Sequence, residues 1–84
     1  TIEDLNSPDP HHMAELSERQ RTILSAIRLV PDQEKMVLTL YYYEELTFKE
    51  IGLIMKVSES RISQIHTKAL SRLRSRLKMS LDLG

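Results

Sequence analysis

Two helix-start signals, Thr47 and Ser58, stand so close together that few folds can satisfy both. Thr47 is followed three residues later by Glu50, a capping box in which each side chain satisfies a backbone N–H at the helix start. Ile51, Ile54 and Met55 then fall on one face at helical spacing, which predicts a helix over roughly residues 48–55. Ser58 is a second N-cap, with Glu59 just inside to complement the positive end of the helix dipole. Beyond it Ile62, Ile65, Ala69 and Leu73 step by three and four along one apolar stripe. Only Lys56 and Val57 separate the two helices, so the turn between them is sharp. Gly52 costs about 1 kcal/mol relative to Ala inside a helix, a cost that makes sense if the second helix must approach without meeting a Cβ. The pattern is that of a helix-turn-helix, which sets its second helix in the major groove of DNA.

The second helix has the side chains for that task. Opposite the apolar stripe lie Ser60, Gln64, Thr67 and Ser71, flanked by Arg61 and Lys68. Gln can bond adenine bidentately, Arg can bond guanine, and Ser or Thr can bond either or approach a thymine methyl. Each of these residues alone fits an ordinary solvated helix face; together, on the second helix of a capped and tightly turned pair, they indicate DNA contact. Charge distribution agrees. The chain carries 12 basic and 12 acidic residues, formally neutral. Residues 1–55 hold five basic and ten acidic residues, net −5, and residues 56–84 hold seven and two, net +5. DNA therefore meets the C-terminal half. The run from Arg72 to Lys78 also suits a helix C-terminus, where the dipole favours cations.

Other features set the limits. Eighty-four residues with 40% apolar content, two Gly and three Pro suit one small all-α domain: a bundle of about four helices ending in the helix-turn-helix, with a long C-terminal recognition helix. Residues 1–14 are expected as a flexible linker or arm, 15–80 as the domain and 81–84 as a tail. Asn6 to His12 reads as loop, a helix follows from about Ala14 to Leu29, and Pro31 suits the first position of the next helix, with Asp32 and Glu34 in its first turn. Met36, Val37, Leu40 and Tyr41 give that helix a core face. Of Tyr41, Tyr42 and Tyr43, one is expected inside and two at the surface. With no Cys, and with three His of which His11 and His12 are adjacent but have no third ligand nearby, neither a disulfide nor a metal site is expected. No cofactor is implied, and no catalytic constellation can be assembled, so the chain is not read as an enzyme. No apolar run reaches membrane-spanning length. The absence of an initiator Met suggests a piece of something longer.

The segment from Val30 through Tyr41-Tyr42-Tyr43-Glu44-Glu45-Leu46-Thr47 to Gly52, followed by Val57-Ser58-Glu59-Ser60-Arg61-Ile62-Ser63-Gln64-Ile65-His66, resembles region 4 of a bacterial RNA polymerase sigma factor, most closely the flagellar sigma-28 type. The match covers about residues 15–78. Gly often stands in that family where this chain has Lys56; a left-handed Lys there would cost about 1–2 kcal/mol. The resemblance implies recognition of the −35 promoter element by the second motif helix, docking on the flap of the polymerase β subunit, and restraint by an anti-sigma protein. It implies a base-facing set of Glu59, Ser60, Arg61, Ser63 and Gln64, with Thr47, Lys49 and Lys68 near phosphates; Ser58 and Thr67 complete the DNA-binding set. A protein partner would meet the segment around Ile27 to Glu45, with Ile27, Val30, Leu40, Tyr42, Tyr43 and Glu44 as contacts. The location implied is the bacterial cytoplasm, associated with the nucleoid. Two other readings remain at this stage: the DNA-binding domain of a response regulator, which gives no reason for the Pro31-to-Leu46 pattern, and a purely protein-binding helical module, which predicts no salt-dependent affinity for any duplex.

Overall fold

A computed structural model describes residues 9–77, and every regular element among them is helical. Asp9 caps α1 (Pro10–Glu15) by accepting from the His11 amide at 3.0 Å, and Pro10 takes the first turn, where its missing N–H costs nothing. The stretch expected as loop is therefore helical from Pro10 onward. The single helix expected from Ala14 to Leu29 is instead broken into three. The break comes from a second capping box. Ser17 Oγ accepts from the Gln20 amide (3.1 Å) and Gln20 Oε1 from the Ser17 amide (2.8 Å), starting α2 (Glu18–Ser25) afresh after an extended Leu16. Ala26 then leaves the helical region, and one 3₁₀ turn, Ile27–Leu29, ends at Val30.

Pro31 serves as the N-cap of α3 (Asp32–Leu38) rather than its first residue, with Asp32 and Glu34 in the first turn as expected. The helix then widens into a π-turn, Thr39–Tyr43, in which the Glu44 amide reaches back to the Thr39 carbonyl (3.2 Å). The extra residue in that turn shifts the buried face. Leu40, Tyr42 and Tyr43 are all buried and Tyr41 is half-buried, so two of the three tyrosines lie inside, not one. Glu45 takes a left-handed conformation (φ 59°), and the Leu46 amide closes the bend on the Leu40 carbonyl at 3.0 Å.

The remaining pair follows the sequence reading closely. α4 spans Phe48–Met55 behind the Thr47–Glu50 capping box, and α5 spans Glu59–Leu77, with Ser58 Oγ accepting from the Arg61 amide at 3.0 Å. Lys56 is left-handed (φ 60°, ψ 42°), the strained conformation that so short a turn imposes on a residue with a side chain. A Cβ on Gly52 would stand 2.7 Å from the Val57 carbonyl oxygen, so only Gly permits this approach. That approach sets the roll of α4: Ile51 and Gly52 face inward, while Ile54, which the spacing puts on one face with Ile51, is 56% exposed beside Leu53 at 75%. Two apolar clusters hold the helices together. Ile23, Val30, Leu38 and Tyr42 pack on Ala69, Leu70 and Leu73; Val37, Leu40 and Ile51 pack on Ile62 and Ile65. Both clusters thus end on α5. The sequence positions 1–8 and 78–84, including the expected tail, lie outside the described residues.

Candidate nucleic-acid interface

Burial of the stripe Ile62, Ile65, Ala69 and Leu73 turns the opposite side of α5 outward. Ser60, Gln64, Thr67 and Ser71 are exposed there, flanked by exposed Arg61 and Lys68. Ser58, Glu59 and Ser63 at the start of α5, with Thr47 and Lys49 at the start of α4, are exposed as well. All the expected DNA contacts are therefore accessible, and they come from two helices joined by one tight turn.

α5 is fixed from behind by polar and aromatic contacts. His66 stacks on Tyr42 with ring centroids 5.6 Å apart and lies 5.1 Å from the rings of both Tyr41 and Phe48. Its Nε2 is 2.8 Å from the Tyr42 hydroxyl. Burial, and to a lesser degree the positive Arg19, holds the His66 pKa below its ordinary value. Burial pushes the Tyr42 hydroxyl up, with Arg19 opposing. Both groups are thus neutral near pH 7, and the hydrogen bond between them adds no net charge to α5. Further along, Arg72 Nε donates to buried Glu34 at 3.0 Å and ties α5 to α3.

The expected protein-contact set fares differently. Val30, Leu40 and Tyr42 are buried in the two clusters that end on α5, and Tyr43 is buried as well. Tyr43 is also covered by α1: its hydroxyl accepts from the Asp9 amide (2.8 Å), and His12 Nε2 lies 2.6 Å from its carbonyl oxygen, the two rings meeting edge to face. Of that set, Ile27 keeps partial access and Glu44 is exposed. The open surface lies instead one step along the chain. A groove of about 510 Å³ has a floor of Tyr41, Tyr42, Leu46 and Phe48 and a polar rim of Gln20, Glu45, Thr47 and Glu59. Tyr41 and Phe48, their rings 4.7 Å apart, are the residues a sequence reading would need in order to find it. Their pairing depends on the π-turn, which leaves no periodic signal.

The family model for sigma-70, region 4 matches residues 26–75. The chain belongs to the sigma-70 region 4 family. The match takes in α4, the turn, α5 as far as residue 75 and the α3–π-turn segment that supports them. Among curated proteins, this region 4 is 56% identical over 66 residues to RNA polymerase sigma factor FliA of Yersinia enterocolitica, covering 79% of this chain and 28% of that one. It is 56% identical over 59 residues to FliA of Escherichia coli K12 (70% and 24%). It is 40% identical over 76 residues to the RNA polymerase sigma-D factor of Bacillus subtilis (90% and 30%). The chain thus spans between about a quarter and a third of the length of these relatives. No solved structure matches the chain. A sigma region 4 is a DNA-binding regulatory domain and not an enzyme. Among the described residues no group of three or more His, Asp or Glu is placed to hold a metal ion, and no helix is long and apolar enough to cross a membrane.

Proposed function

We propose that this region 4 reads the −35 promoter element with α5 as part of a sigma factor that directs flagellar gene transcription. The observation that carries the reading is the accessible polar set on α5 and the two capped helix starts, set on a rigid apolar base. Glu59, Ser60, Arg61, Ser63 and Gln64 meet base edges; Thr47, Lys49, Ser58, Thr67 and Lys68 meet phosphates or the groove margin. Arg61→Ala and Gln64→Ala each weaken binding to a −35 duplex by about 1–3 kcal/mol and relax sequence preference. Fluorescence anisotropy against promoter and scrambled duplexes checks this. Unchanged discrimination in both variants would sink the assignment.

The same domain docks on the flap of the polymerase β subunit and is restrained by an anti-sigma protein in the bacterial cytoplasm, where the sigma factor associates with the nucleoid. What supports this second half is the apolar groove over Tyr41, Leu46 and Phe48, open to an apolar side chain and set apart from most of the DNA-facing residues. Leu46→Glu is expected to abolish retention of core RNA polymerase while leaving duplex binding intact. Retention equal to wild type would remove the groove from the docking surface.

A further inference from the structure

Glu34 is the one buried acid among the described residues, 6% exposed, and its Oε1 is buried without a hydrogen-bond partner. A carboxylate so placed needs a cation, and Arg72 supplies it from α5 through Nε alone, at 3.0 Å. Arginine carries five N–H donors, so four are left on the two terminal nitrogens; among the described residues these make no hydrogen bond, and the side chain is 35% exposed. The Glu34 contact therefore fixes the base of a guanidinium whose fork stays available to a second anion. Phosphate oxygens match that fork in geometry as well as in charge.

The position of Arg72 on α5 supplies that anion. At about 100° per residue, Arg61, Lys68 and Arg72 fall within about 40° of one another along one flank of the helix, over about 16 Å. The other flank holds Ser63, Thr67 and Arg74, and Glu59 begins it. One side of the reading helix thus presents three cations in a row and no acid at the surface, the arrangement a single backbone strand would meet. We propose that Arg72 is a phosphate-contacting residue of this domain, and that Glu34 is the positioning residue that sets its guanidinium from the far side of the α3–α5 interface. The inference rests on α5 lying along DNA. It adds a phosphate contact one helical turn beyond Lys68, and it gives the buried acid a role in binding.

The test is a salt series of fluorescence anisotropy on the 84-residue chain, with a flagellar −35 duplex and a scrambled duplex. Arg72→Gln keeps a donor for Glu34 but removes the charge. It makes the dependence of log K on log salt shallower by about 0.9 on both duplexes, with the promoter-to-scrambled ratio unchanged, and Arg72→Lys restores the slope. Glu34→Gln weakens binding severalfold while Arg72 is present and has no effect in the Arg72→Gln background. An unchanged slope for Arg72→Gln overturns the phosphate contact. An equal effect of Glu34→Gln in both backgrounds reduces Glu34 to fold support and overturns its positioning role. If Arg72→Gln fails to fold by circular dichroism, the neutral pair Glu34→Gln/Arg72→Gln, compared with Glu34→Gln alone, reads the same slope. A wild type that does not prefer the promoter duplex would fell the −35 reading; a shallower slope for Arg72→Gln would still support the phosphate contact.

Discussion

The two halves of the molecule are held in different ways. From Thr47 onward the structure is made of local devices: a capping box, one left-handed residue, a second cap and a single 19-residue helix. Before Thr47 the helices are short, six to eight residues, and the chain satisfies its bends with side chains from far away. Gln20 Nε2 donates to the Tyr42 carbonyl (2.9 Å) and to Glu45 (3.2 Å) while Gln20 Oε1 completes its own cap. His12 and Asp9 both close on Tyr43. Helices this short are marginal alone, so the first half depends on α5 for its core. The second half needs the first only as a seat. The accessible polar set thus lies on the half that is locally determined, and the half that depends on α5 forms most of the groove.

The broadest test of that division is whether it survives unfolding. Ile62 and Leu73 are both fully buried, one in each cluster, and each substitution to Ala costs about 2–5 kcal/mol. Because both sit on α5, urea unfolding followed by circular dichroism is expected as one transition in both variants; two transitions would split the molecule into independent units. Gly52→Ala comes next. Its Cβ meets a backbone oxygen that cannot swing away, so the variant loses about 1–3 kcal/mol and its loss is confined to the α4–α5 turn. Protection of the Lys56 to Glu59 amides in hydrogen exchange checks the confinement.

A finer contrast uses the two capping boxes. Gln20 and Glu50 occupy the same position in each, yet Gln20 also bonds Tyr42 and Glu45. Gln20→Ala is expected to cost about 1–2 kcal/mol, and Glu50→Ala less. Equal urea midpoints for the two variants would deny the first half its long-range ties. The smallest effect is in pH. The folded His66 has a pKa below the ordinary 6.5, so as pH falls through 6.5 the unfolded chain takes up a proton that the folded chain refuses. The stability contributed by neutral His66 is complete above that pH and declines below it, until the depressed folded value is passed. Comparing midpoints at pH 7.5 and 5.5, the wild type is expected to lose more than His66→Phe.

The same division decides what the sequence reveals. The boundaries of α4 and the start of α5 are legible because caps and the 3.6-residue period act within a few residues. The left-handed Lys56 follows from having only two residues between two helices. Ile54 is the exception in this half: which edge of α4 turns inward depends on how closely Gly52 approaches the Val57 carbonyl, a tertiary fact. In the first half Leu16, Ile23, Leu24 and Ile27 share one helical phase across Ser17, yet the Ser17–Gln20 box interrupts the helix there. The tyrosines mislead for a related reason. A uniform helix predicts one of three inside, whereas the π-turn buries Tyr42 and Tyr43 and leaves Tyr41 on the groove. The exposure of the expected DNA-contact residues is unaffected by these errors because it needs only the caps and the phase of α4 and α5, whereas four of the six expected protein contacts are buried.

That π-turn makes the length of the chain between Leu38 and Leu46 matter as much as its composition. Deleting one residue from Thr39–Tyr43 would restore an ordinary helical screw and rotate everything downstream by about 100°. Tyr42 would swing off His66, and α4 would leave on a new heading. An insertion or deletion of one residue along this bend would re-aim α5.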